Sequence, residues 1–135
     1  MSLDIAVWLA CSIQLPGDLP SSEKWSHFDA AAIDKSVISA EMMALWKGVE
    51  SWSYGEPSWQ VSVSYLKEAP IEAIARNMPS AIKGISLVFE GGGDKGAELM
   101  FGVADVLARK CGGAVLDTPA GIYRLDENGR EISDG

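Results

Sequence analysis

The sequence predicts an α+β fold: a two-layer sandwich, with a largely antiparallel sheet and helices packed on one face, near the ferredoxin-like type. Three observations predict it. Trp59, Val61, Val63 and Tyr65 alternate with Gln60, Ser62 and Ser64, and Ile85, Leu87 and Phe89 alternate with Ser86, Val88 and Glu90; strands with one wet face read this way. From about Lys95 to Lys110 the period changes to that of a helix, with an apolar stripe of Leu99, Val103, Val106 and Leu107. The segments succeed one another roughly as β-α-(β)β-α-β-α-β-β without internal repeat or linker, so residues 1–135 read as one domain.

Each element has its own signal. Asp4 to Ile13 is a nearly continuous apolar run stopped by Pro16-Gly17, which suits a central strand covered on both faces, with a buried helix as the alternative that periodicity alone leaves open. Its apolar part, Ile5 to Ile13, does not read as a signal peptide, because the only charge before it is Asp4 and no basic n-region is present. Residues 14–28 carry Pro16, Gly17, Pro20 and several serines and form a loop, pinned to the core by Trp25 and Phe28. Ala40 to Lys47 reads as a helix, with Ser39 as N-cap, Gly48 as stop, and Met42, Met43, Leu45 and Trp46 on one side.

Glu50 to Tyr54 is expected to pair with Trp59 to Leu66 as a hairpin across Gly55-Glu56-Pro57-Ser58. Pro70 to Asn77 is a short helix, with Pro79 beyond its end. The long helix stops at Gly112-Gly113, with Arg109 and Lys110 where the helix dipole favours cations. Ala114–Leu116 and Ile122–Leu125 are short strands around the Asp117–Gly121 turn, and Asn128-Gly129 makes another turn.

Composition bounds the function. Of 135 residues, 19 are acidic and 11 basic, a net charge of −8, and 47% are apolar. Such a chain buries a real core and is no disordered acidic tail. The charge argues against nucleic acid and against an anionic membrane as direct partners, since both need clustered Lys and Arg. Cys11 and Cys111 are too few for a disulfide framework or a zinc cluster. They read as small buried hydrophobes in a reducing compartment, with a single bridge between them as the lesser alternative, since sequence does not give their distance, and the expected location is cytoplasmic.

Gly91-Gly92-Gly93-Asp94-Lys95-Gly96 is a literal G-x-G-x-x-G between strand and helix, and Asp117 follows it by about 20 residues, where a ribose-binding acid would stand. Against this, too little chain follows for a parallel βαβαβ unit, and Asp94 would put a carboxylate beside the anion. A plain connecting loop is the favoured reading; a small-ligand or nucleotide-binding regulatory domain is the alternative. No Gly-Lys-Ser/Thr closes a Walker loop. His27 is the only histidine and stands without a nucleophile elbow or a ligand cluster, so it reads as a surface or capping residue. No residue set identifies an enzyme, a metal site or a cofactor.

The most unusual local composition is aromatic: Trp46, Trp52, Tyr54 and Trp59 are interleaved with Glu50 and Glu56. Trp46 and Trp59 are expected in the core, leaving Trp52 and Tyr54 exposed. With Glu50 and Glu56 they would make a recognition patch for a basic protein.

Two stretches, ISLVFEGGG and ELMFGVADVLARKCGGAVLDTPAGIYRL, carry a resemblance over the C-terminal third of the chain. An amphipathic helix ending in Ala108-Arg109, the Gly112-Gly113 turn, a short strand and the Asp117–Gly121 turn resemble small bacterial immunity proteins that neutralise polymorphic toxins. The resemblance implies an acidic cytoplasmic protein that binds a cognate toxin and blocks it, with no catalysis of its own. The motif is structural and assigns no functional residue.

Overall fold

The computed structural model describes residues 2–28, 50–56, 58–81, 83–91 and 94–132. Among the described residues eight strands form one sheet in the order β2-β3-β4-β5-β1-β6-β7-β8, with every neighbouring pair antiparallel. In chain order they are β1 (Ser2–Leu9), β2 (Ser26–Phe28), β3 (Ser51–Glu56), β4 (Trp59–Leu66), β5 (Lys83–Gly91), β6 (Ala114–Thr118), β7 (Gly121–Leu125) and β8 (Glu131–Ile132). The described helices are α1 (Glu72–Asn77), α2 (Lys95–Cys111) and a 3-10 turn at Ser22–Lys24. The helix expected over Ala40–Lys47, with Trp46, lies outside the described residues.

β1 takes the central place its apolar run implies. It pairs with β5 from Ser2↔Glu90 to Leu9↔Lys83 and with β6 from Ala6↔Asp117 to Trp8↔Val115. The alternations read from the sequence in β4 and β5 are the ones that bury: Val61, Val63, Ile85, Leu87 and Phe89 face α2, while Ser62, Ser64 and Ser86 face away. The order β4-β5-β1-β6 at the centre is the one a ferredoxin-like unit has, with two more strands beyond each edge. The first helix of such a unit would fall between β1 and β4, a stretch that includes residues 29–49, outside the described residues.

Within this antiparallel α+β architecture the two described helices, α1 and α2, pack on opposite faces of the sheet. Met100, Val103, Ala104, Leu107 and Ala108 of α2 pack on Ile5, Val7, Leu9, Leu87 and Leu116. Ile74 of α1 instead packs with Trp8 and Val115 on the opposite face. The reason is β1 itself: Trp8 puts a large apolar side chain on this face beside Val115 of β6, and each such burial contributes about 1.5–3 kcal/mol. Trp8 lies directly across from Gly84, and a Cβ there would come within 2.6 Å of its indole, so the glycine makes room for the ring.

On α2 the buried stripe runs through Gly96, Met100, Val103, Ala104, Leu107 and Ala108, while Leu99 and Val106 are only half-buried. The helix ends at Gly112 in the left-handed region, φ +75°, and the N–H of Gly113 donates back to the Ala108 carbonyl at 2.7 Å.

The cysteines overturn the expectation of free thiols. Cys11 and Cys111 are joined as a disulfide, with their Cα atoms 5.3 Å apart. The bond ties the loop after β1 to the end of α2. Two further contacts hold that loop: Lys110 donates to Asp18, and the Tyr65 hydroxyl accepts the Leu15 N–H at 2.7 Å while donating to the Ile13 carbonyl at 3.2 Å. Trp25, expected to pin the loop, is buried and donates its indole N–H to the Pro20 carbonyl at 3.0 Å.

Candidate functional site

The residues expected to form a recognition patch divide. Trp52 stands opposite Val63 on the α2 face, is 7% exposed, and meets Tyr65 and His27 edge-on at 6.1 and 5.8 Å. It is a core residue, which corrects its expected exposure. Tyr54 is half-buried between Trp25 and Trp59, with ring centroids 5.6 and 5.9 Å away. Trp59 is in the core as expected. Its indole N–H has no acceptor among the described residues. Glu50 and Glu56 are both exposed, and Glu50 lies 3.6 Å from His27 Nε2. The aromatics therefore build the core at this end of the sheet, and only the two acids face solvent fully.

At the other sequence candidate, packing accounts for the two outer glycines of Gly91–Gly96. Gly91 has φ +120°, and a Cβ there would come within 2.3 Å of the Ser58 carbonyl. A Cβ at Gly96 would sit 1.9 Å from the Phe89 ring, so this glycine lets α2 lie down on β5. Asp94, at the N-cap of α2, makes no side-chain capping bond. β1 separates β5 from β6, whereas a dinucleotide-binding unit sets its first two strands side by side. Asp117 projects from the sheet face opposite α2, away from the helix that would hold the phosphate.

A third place was not singled out in the sequence. The main contacts of α2 are with β5, β4, β6 and β1, so the sheet beyond β6 is left less covered on that side. There Tyr123 and Leu125 of β7, Leu3 and Ile5 of β1, and Phe101 of α2 enclose an apolar groove of about 480 Å³. Glu131 of β8 and the turn Thr118–Ala120 also line it. Phe101 is 50% exposed and Tyr123 37%, large aromatic surfaces that folding leaves in water. On the opposite face a shallower depression of about 360 Å³ is lined by Asp4, Ala6, Ser86 and Asp117, again with Thr118 and Pro119.

Phe101 was hard to find because it sits one residue round from the buried Met100, at the margin of the apolar stripe. Its surroundings come from β7, and no helical period reports them. The short apolar run Ile122-Tyr123 beside the Pro119-Ala120-Gly121 turn was the other available signal.

Among the described residues no group of three His, Cys, Asp or Glu could hold a metal ion, and no helix is long and apolar enough to cross a membrane. Comparison with protein-family models, with curated proteins and with solved structures finds no match to this chain.

Proposed function

We propose that this chain is an acidic protein-binding module that neutralises a cognate bacterial toxin as a stoichiometric inhibitor, after the manner of an immunity protein, and that it catalyses nothing itself. The observation that carries the reading is the groove at Phe101 and Tyr123, an exposed aromatic surface on a chain of net charge −8. Clustered exposed aromatics mark association surfaces, and aromatic anchors supply much of the energy of protein interfaces. The negative field steers a basic partner toward the surface and rejects anionic ones. Glu50 and Glu56 belong to this field; Trp52, being buried, serves the fold.

The cytoplasmic location expected from the sequence fits poorly with the Cys11–Cys111 bond, because structural disulfides persist in oxidising compartments. The bacterial periplasm is such a compartment, and an immunity protein that meets its toxin there would keep the bond oxidised.

The test is co-expression with the toxin domain encoded beside this gene. The expected result is a one-to-one complex that abolishes toxin activity and dissociates more readily at high salt. A gene with no toxin neighbour, or a neighbouring toxin that neither binds nor loses activity, would refute the reading.

A further inference from the structure

The apolar groove and the acidic depression meet at one element, the turn joining β6 to β7. Ile5, Thr118 and Pro119 line both. Asp117 stands opposite Ala6 in the β1–β6 ladder, and Asp4 lies two residues along β1 on the same face, so the two carboxylates are diagonal neighbours across adjacent strands. Ser86 faces the same way from β5, opposite Ala6. Among the described residues, Asp4 and Asp117 take part in no ion pair. Arg124, on the same face one step further out, is already engaged.

The turn is stiff. The Thr118 hydroxyl donates to the Gly121 carbonyl at 2.9 Å and accepts the Ala120 N–H at 3.2 Å, and Pro119 fixes its own φ. A preformed element of this kind loses little entropy when a partner closes on it.

We infer that the Thr118–Gly121 turn is the docking element for a basic protein partner. The partner seats one aromatic or branched aliphatic side chain in the groove between Phe101 and Tyr123. A Lys or Arg within a few residues of that anchor crosses the turn to Asp4 and Asp117. This rests on the reading of the chain as an acidic protein-binding module. Acid stands on both sides of the apolar wall, at Glu131 in the groove and at Asp4 and Asp117 across the turn, which selects a cationic occupant. A second copy of the chain, itself at −8, is the wrong charge.

An amide-shift NMR titration of the full chain with the capped peptide Lys-Leu-Phe-Lys, and with its charge-reversed form Glu-Leu-Phe-Glu, tests this. The cationic peptide is expected to shift Leu3, Phe101, Ala120 and Tyr123 together with Asp4 and Asp117. Phe101→Ser abolishes the shifts. Asp4→Asn with Asp117→Asn weakens binding about tenfold at low salt and less at high salt. Shifts elsewhere, equal binding of the two peptides, or no shifts at millimolar peptide would overturn the inference. The outcomes separate it from the function proposed above. A toxin bound equally by the wild type and by the Phe101 and Asp4/Asp117 variants removes the turn as docking element and leaves the immunity reading standing. Localised peptide shifts without toxin binding do the reverse.

Discussion

Lys110 reaches from the last turn of α2 to the carboxylate of Asp18, one residue from the disulfide that Cys111 makes with Cys11. Asp18 also accepts the backbone N–H of Gln14 at 2.6 Å. The loop after β1 is thus fastened to the helix end by a covalent bond and an ion pair side by side. The cation is where the helix dipole wants one, and its partner comes from the far end of the sequence.

That ion pair makes stability depend on acid. The Gln14 N–H, then the Lys110 ammonium, hold the Asp18 carboxyl below its ordinary value. Asp126 is lowered in the same direction by the N–H groups of Arg130 and Asn128, which it accepts in the β7–β8 turn. A carboxyl lowered in the folded state stabilises the fold above its unfolded pKa, near 3.9, and loses that contribution as pH falls through the folded value. Urea midpoints measured from pH 6 down to pH 2.5 are expected to fall below about pH 4. Asp18→Asn flattens part of the fall and costs less than about 1 kcal/mol at neutral pH, since the pair is partly solvated. A variant with an unchanged acid limb would show that the pair does not couple to folding.

Reduction of Cys11–Cys111 is expected to cost more. The cross-link spans 100 residues, and closing so long a loop removes much of the unfolded chain's freedom. The double variant Cys11→Ser, Cys111→Ser, or the wild type in excess reductant, should lose about 2–5 kcal/mol in denaturant titrations. Equal stability of oxidised and reduced protein would contradict this. Mass spectrometry after thiol alkylation, on protein taken from its native compartment, reports whether the bond forms there.

Two glycines of α2 should respond to alanine with opposite sign. At Gly96 the new methyl would press into the Phe89 ring, which is fully enclosed in the core and has nowhere to go. Overpacking of this kind costs about 1–3 kcal/mol. At Gly102 an added Cβ meets nothing within 4 Å, so Gly102→Ala should gain about 0.5–1 kcal/mol from the lower entropy of the unfolded chain. Thermal unfolding of both variants, measured together, checks the sign of each.

The sequence made these elements legible where a short-range pattern decides them. Period-two alternation located β4 and β5, and the paired glycines marked the end of α2. It failed where two distant segments decide the outcome. Trp52 has neighbours of serine on both sides, as an exposed or a buried strand residue would; its register against Val63 put it in the core. Cys11 and Cys111 come together only because β1 lies next to β6 and α2 leads into β6. The groove at Phe101 exists because α2 crosses the middle of a sheet that continues beyond it, and sheet width is a property of strand order rather than of any one strand. The Asp117–Gly121 turn was visible from its Thr-Pro-Ala-Gly composition, but the two surfaces that meet there were not.

Charge reversal separates the two acidic regions of the molecule. Glu50 and Glu56 flank an aromatic cluster that is largely buried and offers a partner little apolar contact. Asp4 and Asp117 lie across one turn from the open groove. Both pairs add to the field that steers a basic partner in, so Glu50→Lys with Glu56→Lys, and Asp4→Lys with Asp117→Lys, should each slow association at low salt. Only the second should also speed dissociation, because short-range pairing beside a buried anchor governs how long a complex lasts. Stopped-flow association and surface-bound dissociation of the cognate toxin, at two ionic strengths, give the two rates separately. Faster dissociation from the Glu50/Glu56 variant, with the Asp4/Asp117 variant unchanged, would move the interface to the β3–β4 end of the sheet.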